Sequence, residues 1–205
     1  QSGLLISDEI VLPIQHYLLG VPGIGFSDIQ VIYSHPQALA QCQTFLDQRF
    51  PQATRTASLS TVAAVTDMRN STIPAAAIAP KRAAALHDVE IIGQDIQDNV
   101  NNVTRFVVLA AHDHIRTGND KTSICFSFTQ DSPGVLHEVL GEFAERNINL
   151  AKIESRPTKE LLGQYIFLVD CEGHREESLV NEALTLISDR ASMFKILGSY
   201  PHWHP

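Results

Sequence analysis

A chain of 205 residues has room for one large or two small domains, each with its own core. Its hydrophobic fraction of 44% and charged fraction of 19% are those of a globular protein. The net charge of −8 argues against a phosphate-backbone binder, which normally presents a basic face. The longest apolar runs, such as 105–111 and 73–79, fall far short of the ~20 residues a membrane helix needs. Neither nucleic acid nor a membrane is expected as a partner.

In chain order, Glu9 to Ile14 reads as a strand, and Gly20-Val21-Pro22-Gly23-Ile24-Gly25 as a turn before a second strand over Asp28 to Tyr33. Ser34-His35-Pro36 opens a helix, with Ser34 as the expected N-cap and Pro36 in the first turn. Leu39, Cys42, Phe45 and Leu46 recur at helical spacing on its buried face. A short strand over Ala53 to Ala57 precedes a helix over Ser58 to Asn70, capped at Ser60 or Thr61. Ala75 to Ala79 is a strand, Lys81 to His87 an alanine-rich helix, and Val89 to Ile92 and Val103 to Ala110 are strands. Strands alternating with short helices predict an α/β layer with a largely parallel sheet, in which ligands sit at strand carboxyl ends and helix N-termini.

Residues 112–120 are polar, contain a Gly-Asn turn and read as a linker. Beyond them the period changes. Strands are predicted over Lys121 to Gln130, Leu150 to Arg156, Leu161 to Cys171 and Ser192 to Tyr200. Helices are predicted over Pro133 to Arg146 and Glu176 to Ser188. The order βαββαβ is ferredoxin-like.

Cys42, Cys125 and Cys171 are odd in number, lack any CxxC pairing and lie in apolar patterns. Reduced buried thiols in a cytosolic protein are the expectation. The pairs His112/His114 and His202/His204 lack a third ligand at suitable spacing, so no metal is expected. No nucleotide-binding glycine motif is present, and no cofactor is expected. The chain enters strand-like sequence directly from Gln1, so a native N-terminus upstream of Gln1 is also expected.

Two segments are the most specific. The first is the amide-rich turn Asn99-Val100-Asn101-Asn102, which runs into Val103 and then Thr104-Arg105-Phe106 at the head of a strand. The second is Glu154-Ser155-Arg156-Pro157. Together, in this order and on these elements, they resemble the prephenate dehydratase family with its ACT regulatory domain. The stretch Ser34-His35-Pro36-Gln37 through Cys42, and the helix start Ser60-Thr61, resemble further segments of that family at the mouth of its cleft.

The resemblance implies a fold, a boundary and an activity. The fold is a periplasmic-binding-protein-like α/β lobe followed by a ferredoxin-like ACT domain. The boundary separates a catalytic region over 1–112 from a regulatory domain over 113–205. The activity is decarboxylating dehydration of prephenate to phenylpyruvate without a cofactor, with feedback inhibition by L-phenylalanine.

It also implies roles. Thr104 would donate to the departing hydroxyl, Arg105 would pair a substrate carboxylate, and Phe106 would pack near the ring. Asn99, Asn101, Asn102, Ser34, His35, Gln37, Ser60 and Thr61 would hold substrate oxygens. Gly134, Val135 and Leu136 at a helix start, with Glu154, Ser155, Arg156 and Pro157 of a paired subunit, would bind phenylalanine in a homo-oligomer.

The family's first-lobe motifs, of Gly-Pro-x-Gly-Thr-Phe and Glu-Asn-Ser type, are not found in this chain. Val135 and His137 depart from the small and apolar residues usual at the ACT helix start. Arogenate dehydratase and a non-catalytic amino-acid sensor are the alternatives.

Overall fold

The computed structural model describes residues 3–128, 132–158 and 165–203. The chain divides into two compact units: residues 13–104, and residues 1–12 together with 105–205.

In chain order the strands and helices of the first half are β1 (Leu5–Pro13), β2 (Tyr17–Gly20), β3 (Val31–Ser34), α1 (Pro36–Gln41), α2 (Gln43–Arg49) and β4 (Thr54–Ala57). There follow α3 (Thr61–Arg69), β5 (Ala75–Ala79), α4 (Lys81–His87), β6 (Glu90–Gly93) and β7 (Val103–Ala110). The second half contains β8 (Asp120–Ser127), α5 (Val135–Glu145), β9 (Leu150–Pro157), β10 (Tyr165–Glu172), α6 (Ser178–Arg190) and β11 (Met193–Pro201).

Within residues 13–104, five strands form one sheet in the order β4-β3-β5-β2-β6. Its centre, β5, is Ala-Ala-Ala-Ile-Ala, buried along its whole length. The period of two sends Ala75, Ala77 and Ala79 to one face, against Ala64, Val65 and Met68 of α3. Ala76 and Ile78 go to the other, against Ala38, Cys42 and Leu46 of the α1–α2 segment. A strand covered on both faces must be apolar throughout, and the small alanines let the helices approach closely.

The sheet is mixed rather than largely parallel. The β3–β4 and β3–β5 pairs are parallel, whereas β2 runs antiparallel to both β5 and β6. The cause is β2 itself, a four-residue buried strand just before the glycine-rich turn that the turn signals hide.

The helix expected after β3 is two helices. At Cys42 the backbone leaves helical geometry (φ −117°, ψ 19°). Asp98 explains the break: its N–H takes the Gln41 carbonyl at 2.8 Å, and its carboxylate caps α2 by accepting from Thr44 N at 3.1 Å. The cap of α1 also differs from expectation. His35, not Ser34, is the N-cap, with Nδ1 accepting from Gln37 N at 3.2 Å. Ser34 is fully buried and donates to the Ile78 carbonyl at 2.7 Å. The cap on α3 is Ser60, which accepts from Ala63 N at 3.0 Å.

In the other unit, β8 to β11 form an antiparallel sheet in the order β11-β8-β10-β9, the ferredoxin-like arrangement. Helices α5 and α6 cover one face through Val139, Phe143, Val180, Ala183, Leu184 and Ile187, packed on Ile124, Phe126, Val169 and Cys171. The β1–β7 ribbon contributes Glu9 and Arg105 to a charged cluster with Lys121, Ser123, Asp170 and Tyr200. Gly198, at φ +148°, has no room for a side chain, since a Cβ there would lie 2.1 Å from the Ile6 carbonyl oxygen. That close approach requires glycine.

Candidate active site and regulatory face

A cleft of about 600 Å³ opens on the unit of residues 13–104. Its walls come from four places. The start of α1 supplies His35, Gln37, Ala38 and Gln41; the start of α3 supplies Leu59, Ser60 and Thr61. Ile14 and His16 precede β2, and Asn102, Val103 and Thr104 lead into β7. Hydroxyl, amide and imidazole groups dominate this lining, and it contains no carboxylate and no Lys or Arg. The first turn of α3 adds unpaired backbone N–H groups, which favour an anionic oxygen.

Of the residues singled out from sequence, Thr104, Asn102, His35, Gln37, Ser60 and Thr61 meet in this cleft. Among the described residues, no hydrogen bond involves the Thr104 hydroxyl. That leaves the group available to a ligand. The Ile14 N–H donates to the Asn102 carbonyl at 2.8 Å and so ties the β7 entry to the strand beside it.

Asn99 and Asn101 lie on the exposed turn instead. The Asn99 side chain accepts from Asn101 N at 2.9 Å and its carbonyl from Asn102 N at 3.3 Å, which shapes the approach to Asn102. Ser34 is sealed under the β3–β5 pair and does not line the cleft.

Alternation along β7 puts Arg105 on the face opposite Thr104. Its guanidinium donates to Glu9 at 2.5 Å, to Asp170 at 2.7 Å and to the Tyr200 hydroxyl. Glu9 also meets Lys121 Nζ at 2.5 Å and accepts from Trp203 N at 3.1 Å. Burial raises the Glu9 carboxyl, but the Lys121 hydrogen bond, the Trp203 N–H and the Arg105 charge outweigh it and hold the group below its ordinary value. Phe106 is half exposed.

Two residues of the cleft carry no strong sequence signal. Gln41 stands one helical turn after Gln37, so the i,i+4 spacing would have found it. His16 is a lone imidazole entering an apolar run, and only the three-dimensional neighbourhood marks it out.

In the ferredoxin-like unit, Gly134 is the N-cap of α5 at φ +96°, a conformation favouring glycine. Gly134, Val135 and Leu136 line a hollow of about 450 Å³ with Ser132, Pro133, His137 and Phe167. Glu154 to Pro157 lie on β9, at the edge of the sheet, and do not line that hollow within one chain. Glu154 is clamped by Lys152 Nζ at 2.7 Å and Arg156 Nε at 2.6 Å; these two hydrogen bonds hold its carboxyl below the ordinary value. Among the described residues no helix is long and apolar enough to cross a membrane. None of them forms a cluster of three or more metal-ligating side chains.

A polar cleft on an α/β layer is thus followed in the same chain by a ferredoxin-like sheet with two helices, the two-part architecture of an α/β lobe and a βαββαβ module. The prephenate dehydratase family model matches residues 1–114, and the ACT domain model matches residues 124–185. The bifunctional chorismate mutase/prephenate dehydratase of Aquifex aeolicus is 39% identical over 201 residues, covering 98% of this chain and 55% of that protein. The chloroplastic arogenate dehydratase/prephenate dehydratase 1 of Arabidopsis thaliana is 41% identical over 214 residues, covering 97% of this chain and 54% of its own length. The crystal structure of prephenate dehydratase from Arthrobacter aurescens in complex with L-Phe superposes with a TM-score of 0.87 at 36% identity. It covers 97% of this chain and 66% of that one. The chain belongs to the prephenate dehydratase family, and it spans about half the length of these curated relatives.

Proposed function

We propose that this chain carries the dehydratase cleft wall and the phenylalanine-sensing module of a prephenate dehydratase. In the reaction, the ring carboxylate leaves as carbon dioxide and its C–C bonding pair moves into the ring. The C–O bond to the ring hydroxyl breaks, and the departing oxygen takes a proton and leaves as water. Aromatisation drives the process, so the protein needs mainly a donor at the leaving oxygen and a pocket for two carboxylates. A hydrogen bond to that oxygen strengthens as negative charge develops there.

The observation that carries this reading is the Thr104 hydroxyl, which has no hydrogen-bond partner among the described residues and lies in a cleft lined by Asn102, His35, Gln37, Ser60 and Thr61. Thr104 is assigned as the donor to the leaving oxygen. The α3 start and the side-chain amides are assigned to substrate oxygens. Arg105, engaged on the opposite face by Glu9, Asp170 and Tyr200, is assigned to anchoring β7 rather than to the substrate.

The hollow at Gly134 is assigned to L-phenylalanine, with Glu154 to Pro157 of a second subunit closing it in a homo-oligomer formed through the ACT domains. Exposed N–H groups at the α5 start suit the amino acid's carboxylate. Thr104→Ala should abolish phenylpyruvate formation while leaving the unfolding midpoint and phenylalanine binding unchanged. Full turnover by that variant would remove Thr104 from the chemistry.

A further inference from the structure

We propose that Asp98 is a positioning residue for the dehydratase reaction, pinning the approach to Thr104 onto the break between α1 and α2 and so setting the span of the cleft. The proposal rests on the dehydratase reading above and adds to it a residue outside the cleft lining.

The break at Cys42 frees a backbone carbonyl on one side and a backbone N–H on the other, and such groups need partners. Asp98 takes both. Its own N–H donates to the Gln41 carbonyl at 2.8 Å, and its carboxylate accepts from Thr44 N at 3.1 Å. The end of α1 and the start of α2 therefore share one partner. Asp98 is exposed, yet a carboxylate on a helix-start N–H makes one of the stronger hydrogen bonds.

The residues just before Asp98 hold two groups of the cleft lining. Ile96 N donates to the His16 carbonyl at 3.1 Å, and Gln97 Oε1 accepts from His16 N at 2.9 Å. The His16 ring in turn meets Gln41 Oε1 at 2.8 Å. One short segment, 96–98, thus joins the α1 wall to the strand entry at His16.

The residues just after Asp98 lead to Thr104. Asn99 closes the turn locally through Asn101 N and Asn102 N, and the Asn102 carbonyl accepts from Ile14 N at 2.8 Å. Among the described residues, the hydrogen bonds joining this stretch to α1 and α2 are those of Asp98. Thr104 must come within reach of the leaving oxygen while His35, Gln37 and Gln41 of α1 line the same cleft. The span between them decides whether a bound substrate is aligned, and Asp98 sets that span.

Two readouts separate positioning from a merely structural cap. In Asp98→Ala, kcat for prephenate should fall at least tenfold with KM within threefold of the parent, because a displacement of about 1 Å can cost about 100-fold in rate. The Ile14 amide, whose acceptor is the Asn102 carbonyl, should exchange with deuterium at least tenfold faster in that variant. The amides of the buried strand β5 should stay protected. Asp98→Asn keeps an oxygen for Thr44 N and should restore most of both readouts.

A lower unfolding midpoint with kcat and Ile14 exchange unchanged would reduce Asp98 to a helix cap and overturn the proposal. A parent chain without turnover would instead count against the dehydratase reading itself. The exchange arm then still decides whether Asp98 holds the approach to Thr104, and an unchanged Ile14 rate in Asp98→Ala would overturn that too.

Discussion

Removing Arg105 tests how the segment bearing Thr104 is held. Taking away one member of a buried ion pair costs about 3–5 kcal/mol, because the remaining charge is stranded. Two carboxylates lose a partner in Arg105→Ala. Glu9, 2% exposed, keeps Lys121 at 2.5 Å and Trp203 N–H at 3.1 Å; Asp170, 6% exposed, keeps the Ser123 hydroxyl at 2.5 Å. The Arg105 side chain is itself 27% exposed, which screens part of the interaction. These residual contacts place the loss near the lower end, about 3 kcal/mol.

The assay is urea unfolding followed by the fluorescence of Trp203, the chain's single tryptophan, whose backbone N–H donates to Glu9. With a urea slope of about 1–3 kcal/mol/M, the midpoint should fall by roughly 1–3 M. An unchanged midpoint together with lost prephenate turnover would refute this reasoning. It would return Arg105 to the substrate.

Three further outcomes are expected. Replacing Ser155 or Arg156 with alanine should relieve phenylalanine inhibition while sparing turnover, read as a rise of at least tenfold in the half-inhibitory concentration; full inhibition would count against the edge of β9. Burial acts to raise the Glu9 carboxyl, yet Lys121, Trp203 N–H and Arg105 hold it below the ordinary 4.5. Its stabilising effect is thus present above pH 4.5 and is lost as pH falls through the lower folded value, so Glu9→Gln should flatten the acid side of a stability–pH curve. Burial pushes the Cys42 and Cys171 thiols up to about 12, so a thiol reagent at pH 8 should label at most Cys125 until the chain is unfolded.

What was legible in the sequence follows the range of the interactions involved. The βαββαβ order, the Ser60 cap and the buried β5 are written in local periodicity and capping chemistry, and the structure has them. The break at Cys42 is not local, since it depends on Asp98, more than fifty residues later in the chain. The same holds for Arg105, whose partners Glu9, Asp170 and Tyr200 are between 65 and 96 positions away. Ser34 looked like a cap because Ser commonly is one, but burial under Ile78 claimed its hydroxyl. β2 escaped because four apolar residues before a glycine-rich turn carry too short a pattern, and with it went the antiparallel half of the sheet. At the cleft, Thr104 and the helix starts were visible as motifs, whereas His16 joins the lining only through the fold.

The most direct measurement is phenylpyruvate formation from prephenate by this chain, with and without L-phenylalanine. The account predicts turnover that depends on Thr104 and falls as phenylalanine is added. Prephenate left intact by the folded chain, with no thermal stabilisation by phenylalanine, would contradict it.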